Sequence, residues 1–307
     1  KIAGVSFDNL CGILLLDKPQ GLSSNSAVQR VRHAFGRIKA GHTGSLDPLA
    51  TGVLPICLGE ATKVAGYLLD GDKEYEFTAR FGARTATGDL EGEWVETAPV
   101  PEDLAARLQA ALPRFLGVQH QVPPMYSALK QGGQPLYKLA RQGIEVERAA
   151  REIRIHALQM LDSGSAEARF RVRCSKGTYV RTLAEDIARA VGTCAHLGFL
   201  RRTAVAPFEG QPMFRLEDIQ ADPAAVPLLS PDAALPQLAR IQLPEGLTTR
   251  LRMGQTVPLP VADAQPRQPG LARVHGPDGT FLGIGEILPG PVLKPVRLFN
   301  NLGVDST

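Results

Sequence analysis

From Ala166 to Cys174 every second side chain is apolar or small (Ala166, Ala168, Phe170, Val172, Cys174), and every intervening one is charged (Glu167, Arg169, Arg171, Arg173). A period of two suits a strand buried on one side and no helix. "EYEFTARFG" repeats the pattern, with Tyr75, Phe77, Ala79 and Phe81 on one side and Glu74, Glu76, Thr78 and Arg80 on the other. Gly12 to Asp17 adds a short apolar strand that ends in the turn Lys18-Pro19-Gln20-Gly21. The helices able to cover such strands are few. One is expected from a cap at Ser23, Ser24 or Asn25 through Ala27, Val28, Val31 and Phe35 to a stop at Gly36, with Arg30 and Arg37 on its outer side. A second spans Glu102 to Leu112, stopped before Pro113, and a third runs through Leu183, Ile187 and Val191 to Gly192. Helix and strand do not alternate regularly. The expected fold is therefore α+β with a mixed, largely antiparallel sheet, not a doubly wound one.

At 307 residues the chain can bury a full core and carry one large domain and a small one. From about Pro207 to Leu243 it becomes rich in proline and alanine with little periodicity, a linker-like composition. Beyond that, "GLARVHGPDGTFLGIGEI" holds short strands around the turn Pro277-Asp278-Gly279, so a small β-rich C-terminal domain is expected. The densest apolar run, Ile13 to Leu16, is strand-sized and far short of a membrane span, so the cytoplasm is the expected compartment. The start, Lys1-Ile2-Ala3-Gly4, has neither an initiator Met nor a secretory apolar region, and the numbering is expected to begin inside a longer natural chain. Cys11, Cys57, Cys174 and Cys194 are scattered without zinc-site spacing. They read as small buried residues, and no metal is expected.

The net charge of +3 says little as a total, but its distribution says more. Between Asp17 and Asp47 there are five basic residues (Lys18, Arg30, Arg32, Arg37, Lys39) and no acid. Between Asp103 and Glu145 there are five again (Arg107, Arg114, Lys130, Lys138, Arg141), and Ala168 to Ala184 holds Arg169, Arg171, Arg173, Lys176 and Arg181. Each stretch alone fits a solvated face. Three together favour a groove for a polyanion, and nucleic acid is the expected partner.

"AGHTGSLDPLATGVLP" places a lone carboxylate, Asp47, before Pro48. The proline drives Asp47 out of helical geometry, and the glycines at 41, 44 and 52 would let another chain approach closely. Such a carboxylate can act as nucleophile or base, or simply form a turn. In a closed pocket it needs a cation to stay ionised, and Arg181, just after "SKGTY", is the candidate for a two-pronged pair. Tyr75 is by pattern a core-facing aromatic, though at a strand's mouth it could stack on an extruded base.

Six strings occur in order: "LLLDKPQGLSSN", "GHTGSLDPLATGVLPICLGEATK", "KEY", "PPMYSALKQGGQPLYKLARQG", "CSKGTYVRTLAEDI" and "HLGFLRRT". Together they resemble the TruB family of tRNA pseudouridine synthases, in its stand-alone bacterial form. The resemblance implies a pseudouridine synthase domain over residues 10–230, an RNA-clasping insertion near 123–148, and a PUA-like RNA-binding domain over 238–307. It implies isomerisation of uridine 55 in the T-loop of tRNA by base flipping, with no cofactor and no obligate protein partner; no membrane partner is expected, and a monomer is the simplest expectation. Asp47 matches the essential aspartate, whether it attacks the sugar, attacks the ring or deprotonates the ribose. Arg181 matches its arginine partner, and Tyr75 matches the tyrosine that stacks on the flipped base and helps remove a proton from C5. His42 matches a histidine inserted into the T-loop, and Tyr179 and Leu200 match positions lining the uracil pocket. Arg37, Lys39, Lys130, Lys138 and Arg141 are the RNA-backbone candidates. Ser45 stands where many relatives have alanine. The competing readings are a tRNA-refolding chaperone with incidental catalysis and the guide-RNA-dependent relative. Intact Asp47, Tyr75 and Arg181 favour the enzyme, since binding alone needs no such trio.

Overall fold

The computed structural model describes residues 7, 9–259, 269–290 and 292–299. Residues 1–4, and 260–268, 291 and 300–307 of the expected C-terminal domain, lie outside the described residues.

The chain enters on β1 (Gly12–Lys18), turns at Gly21 and forms α1 (Ser24–Ala34). Ser23 is the cap: its Oγ accepts the Ser26 N–H at 3.1 Å. Arg37 lies beyond the helix with φ 68°, so of the two basic residues expected on its outer side only Arg30 belongs to it. β2 (Ala40–His42) and β3 (Thr51–Leu58) flank the Asp47 loop, and α2 (Ala65–Leu68) precedes β4 (Lys73–Phe81). A small ribbon, β5 (Ala83–Thr85) with β6 (Trp94–Thr97), brackets the loop "TATGDLEGEW". α3 (Leu104–Ala111) does not end the segment, as the sequence implied. The chain tightens instead into a 3-10 turn over Leu112–Phe115, which accepts Pro113 near its start because no N–H is required there.

β7 (Gly117–Gln121) leads to a ribbon of β8 (Lys130–Gln131) and β9 (Gln134–Pro135), then α4 (Leu136–Arg141). β10 (Arg151–Ser163), β11 (Glu167–Cys174), α5 (Val180–Ala190) and β12 (Ala195–Val205) follow. The stretch with linker-like composition is packed structure. β13 (Phe214–Arg215) pairs with β1, α6 (Leu216–Ala221) lies on α1, and Pro231, Ala234 and Leu235 are buried. Its prolines open 3-10 turns at Pro223 and Pro231, so what reads as a linker signal is turn chemistry. β14 (Ala239–Gln242), α7 (Glu245–Arg252), β15 (Val257–Pro258), β16 (Gly270–His275), β17 (Phe281–Leu288) and β18 (Val292–Leu298) complete the described chain.

The main sheet has nine strands in the order β13-β1-β3-β12-β4-β11-β10-β7, with β2 on β3, and only the β1–β13 and β3–β12 pairs are parallel. The second sheet has five strands, β14-β16-β17-β18-β15. The α+β expectation and the β-rich C-terminal region both hold. Burial explains the strand patterns. Leu14 and Leu16 of β1 face a core shared with α1, α3 and α5, whereas Ile13 and Leu15 face a second cluster with Val53, Cys57, Phe281, Ile284 and Phe299. Covered on both sides, β1 is continuously apolar. β4 and β11 are covered on one side only and therefore alternate.

Candidate active site

The loop between β2 and β3 is pinned along its length. Thr43 N–H donates to Pro55 O at 3.1 Å and Ala50 N–H to Asp47 O at 3.0 Å. Ser24 grips Leu46 twice, its Oγ donating to Leu46 O at 2.9 Å and accepting the Leu46 N–H at 2.7 Å. Behind Pro48, the buried Lys18 ammonium donates to the carbonyls of Pro19 at 2.9 Å, Leu22 at 2.7 Å and Pro48 at 3.4 Å. Gly44 and Gly52 have φ of 71° and 103°, and a Cβ on Gly52 would fall 2.0 Å from the Arg202 carbonyl oxygen. Gly41 has open space around it, so the close approach expected there is not found.

α5 carries Arg181 in its first turn, toward this loop. Arg181 Nη2 lies 3.0 Å from Asp47 Oδ2 and donates to Tyr126 O at 2.7 Å, while Nη1 donates to Thr87 O at 2.8 Å. The contact is one nitrogen to one oxygen, not the two-pronged pair expected, because Nη1 is committed to Thr87. The Arg181 side chain is only 6% exposed, whereas that of Asp47 keeps 43% exposure. Burial of its site pushes the Asp47 carboxyl above the ordinary range; Arg181 pulls it back down, Asp89 adds an upward push and Lys18 a downward one.

Asp47, Tyr75, Tyr179, Arg181 and Leu200 line one cavity of about 260 Å³, together with Lys73, Ser127 and Arg202. Asp47 is the one carboxylate in that lining among the described residues. Tyr75 points to the core, 9% exposed, and the buried face of β4 is there a wall of the cavity. Burial pushes its phenol up, against the pull of Arg202. Tyr179 is held at the start of α5 by Gln121, whose Oε1 accepts the Tyr179 N–H at 2.7 Å and whose Nε2 donates to Tyr179 O at 3.1 Å. Its phenol is also pushed up by burial.

His42 is not in the cavity lining. It sits on β2 opposite Ile56, its Nδ1 buried without a partner among the described residues, and burial, aided by Arg202, holds its ring below the ordinary range. Arg37, Lys39, Lys130, Lys138 and Arg141 are all exposed, and the described residues offer none of them an ion pair. The third basic stretch differs from what the sequence implied. Arg169 and Arg171 both pair with Glu76, Lys176 with Asp70 at 2.6 Å, and Arg173 approaches Glu209 at 3.9 Å. Glu76 stands directly opposite Arg171 across β4 and β11, so a stretch free of acids in sequence is not free of them in the sheet.

Four site residues escaped the sequence reading. Lys73 donates to Leu69 O at 2.8 Å and Gly71 O at 2.5 Å, and burial lowers both it and Lys18 to about 8. Asp89 accepts from Thr87 Oγ1 at 2.5 Å and from the Glu91 N–H at 3.0 Å. Arg202 donates to Gly44 O and Val53 O, both at 2.8 Å. The lysines and Arg202 stand inside strings already singled out, but their partners are backbone carbonyls, which leave no mark in sequence. Among the described residues no group of three or more His, Cys, Asp or Glu could hold a metal ion, and no helix is long and apolar enough to cross a membrane. The four cysteines are free, with Cys11 half-buried, not buried as expected.

The family description "TruB family pseudouridylate synthase (N terminal domain)" matches residues 32–180. "tRNA pseudouridylate synthase B C-terminal domain" matches 181–227, and "Pseudouridine synthase II TruB, C-terminal" matches 239–299. The tRNA pseudouridine synthase B of Cupriavidus metallidurans is 50% identical over 295 residues, covering 94% of this chain and 93% of its own. That of Sodalis glossinidius is 48% identical over 298 residues, 94% of each chain. Among solved structures, a chain of a Cbf5-Nop10-Gar1 complex shares the fold with a TM-score of 0.69 at 24% identity, over 94% of this chain and 84% of that one. A chain of an H/ACA RNP bound to a substrate RNA containing 2'-deoxyuridine does so with a TM-score of 0.69 at 22% identity, over 94% and 85%. With half its residues shared along nearly the whole length of such relatives, the chain belongs to the TruB family of pseudouridylate synthases.

Proposed function

We propose that the protein converts uridine 55 in the T-loop of tRNA to pseudouridine, acting as a monomer in the cytoplasm without cofactor or protein partner. The observation that carries this reading is a lone carboxylate held by a buried arginine in a cavity walled by Tyr75, Tyr179 and Leu200. Glycoside hydrolases need two carboxyl groups across the scissile bond, whereas this cavity is lined by one. Its volume of about 260 Å³ lies just below the usual range for drug-sized ligand sites, which suits a single base. Extruding that base costs roughly a few kcal/mol, offset by stacking and backbone contacts. Tyr75 stacks on the base and takes the proton from C5; Tyr179 and Leu200 bound the ring; His42 supports the T-loop from outside the cavity.

The segment 123–148, with α4, is assigned as the RNA-clasping insertion, and its exposed Lys130, Lys138 and Arg141 meet phosphates, as do Arg37 and Lys39. Residues 10–230 form the catalytic domain and 238–307 the PUA-like one. The test is Asp47→Asn with a T-arm transcript and no added protein: it should bind as the wild type does and form no pseudouridine. Turnover by that variant would remove Asp47 from the chemistry, and wild-type refolding of tRNA without any product would favour the chaperone.

A further inference from the structure

Two neighbouring arginines on β12 meet opposite fates. Arg201 is partly exposed and grips Asp17 with both terminal nitrogens, at 2.9 and 3.0 Å. Arg202 is 1% exposed, the bulkiest fully buried side chain among the described residues, and none of their carboxylates comes within ion-pair distance of it. It donates from Nε to Val53 O and from Nη2 to Gly44 O, both at 2.8 Å. A buried cation without a counter-charge costs more than an apolar side chain of like volume. Packing alone does not explain it.

Arg202 stands directly opposite Tyr75 in the β12–β4 pair, and both line the cavity. Its guanidinium is the strongest pull on the phenol toward the charged form, against the burial that opposes it. Register shifts between Leu197 and Phe199 and between Arg202 and Ala204 bracket this stretch and re-aim its side chains. On the far side Gly52 lets β3 close onto the Arg202 backbone, so the side chain has one place to go.

We infer that Arg202 is a positioning residue for Tyr75: fixed to one carbonyl of the Asp47 loop and one of β3, its guanidinium holds the phenol oxygen at the cavity wall and supplies the positive charge against which that oxygen can become negative. The inference rests on the proposed role of Tyr75 at C5. A neutral phenol is too weak a base to take a proton from carbon. A phenolate can do so: the O–H bond forms, the C5–H electron pair stays in the ring, and the neutral phenol returns its proton to water. The groups facing Tyr75 are Arg202 from β12, Cys174 from β11, Asp47 from the loop before β3, and Lys73 from its own strand, with Tyr179 and Arg181 lining the same cavity from the start of α5. Burial opposes ionisation most, Cys174 and Asp47 add to it, and Arg202 is the largest influence in favour. A lysine would keep the charge but not the planar fork that serves two carbonyls at once beside the phenol.

The experiment follows the Tyr75 phenol in the free protein by NMR of carbon-labelled tyrosine, with Tyr75→Phe assigning the signal. In Arg202→Gln the phenol should titrate about one pH unit or more higher, a tenfold loss of phenolate at a given pH, while Arg202→Lys should stay close to the wild type. The rising limb of single-turnover rate against pH should move upward with it. Should Arg202→Gln not fold, Arg202→Lys carries the test: with the charge kept and the fork lost, its single-turnover rate should fall while its phenol titration and tRNA binding stay close to the wild type. An unmoved titration in Arg202→Gln, or an Arg202→Lys rate equal to that of the wild type, would overturn the inference. Because the titration needs no substrate, it stands apart from whether tRNA is the substrate.

Discussion

Asp47 must be ionised to act as nucleophile or base, yet its site disfavours charge, and Arg181 is the largest influence that offsets this burial. Removing that guanidinium should let burial drive the carboxyl further up, so less carboxylate remains at neutral pH. Arg181→Ala is expected to lower single-turnover rate by roughly 10²-fold or more, with tRNA affinity changed far less and the rate limb moved to higher pH. Equal losses in rate and affinity would argue against the charge pair. Lys18 offers a separate test, since burial brings its ammonium from 10.5 down to about 8. Above 10.5 neither folded nor unfolded chain holds that charge; below about 8 the folded protein keeps it out of water while the unfolded chain solvates it. Wild-type stability, measured by denaturant midpoints against Lys18→Met, should therefore rise as pH goes from about 8 to 10.5. The constraint on Asp47 was legible because its proline and glycines are local, while the choice between a turn and a reactive carboxylate came from the family resemblance. Lys18 and Arg202 were not, because their roles depend on carbonyls brought near by folding.

Elements set the loop's geometry through a few contacts. Ser24 belongs to α1, yet both hydrogen bonds of its Oγ go to Leu46, next to Asp47. Ser24→Ala leaves a buried N–H and C=O without that partner and should cost about 1–3 kcal/mol, read by thermal and denaturant unfolding. It should also slow turnover, because the loop that aims Asp47 is loosened; unchanged stability and rate would show the staple to be idle. The strands and helices with one wet face, β4, β11, α1 and α5, were readable from periodicity. β1 showed only as an apolar run, since both its faces are covered. The stretch from 207 to 243 was misread because proline begins 3-10 turns as readily as it marks a linker.

Across the whole molecule, the second sheet is not hung on a tether. Phe281, Ile284 and Phe299 share a core with Ile13, Leu15 and Val53 of the main sheet, and Lys63 donates to Leu298 O at 2.8 Å. Charge is likewise partitioned by the fold, with internal pairs consuming the arginines of β11 and leaving Lys130, Lys138 and Arg141 free of ion pairs among the described residues. Affinity for tRNA should fall steeply with salt, and Lys130→Ala with Lys138→Ala should flatten that slope by about two phosphate contacts. Arg169→Ala with Arg171→Ala should leave the slope nearly unchanged; the opposite ranking in filter-binding titrations would place the RNA on the β11 face. Local pattern was enough to specify the one-sided strands, the capped helices and the constrained aspartate, because periodicity and turn chemistry act over neighbouring residues. Which arginine meets Asp47, which are neutralised by Glu76, and which lies buried beside Tyr75 depended on elements adjacent in space but far apart in the chain. Coulombic and hydrogen-bond partnership follows distance, and only folding sets distance.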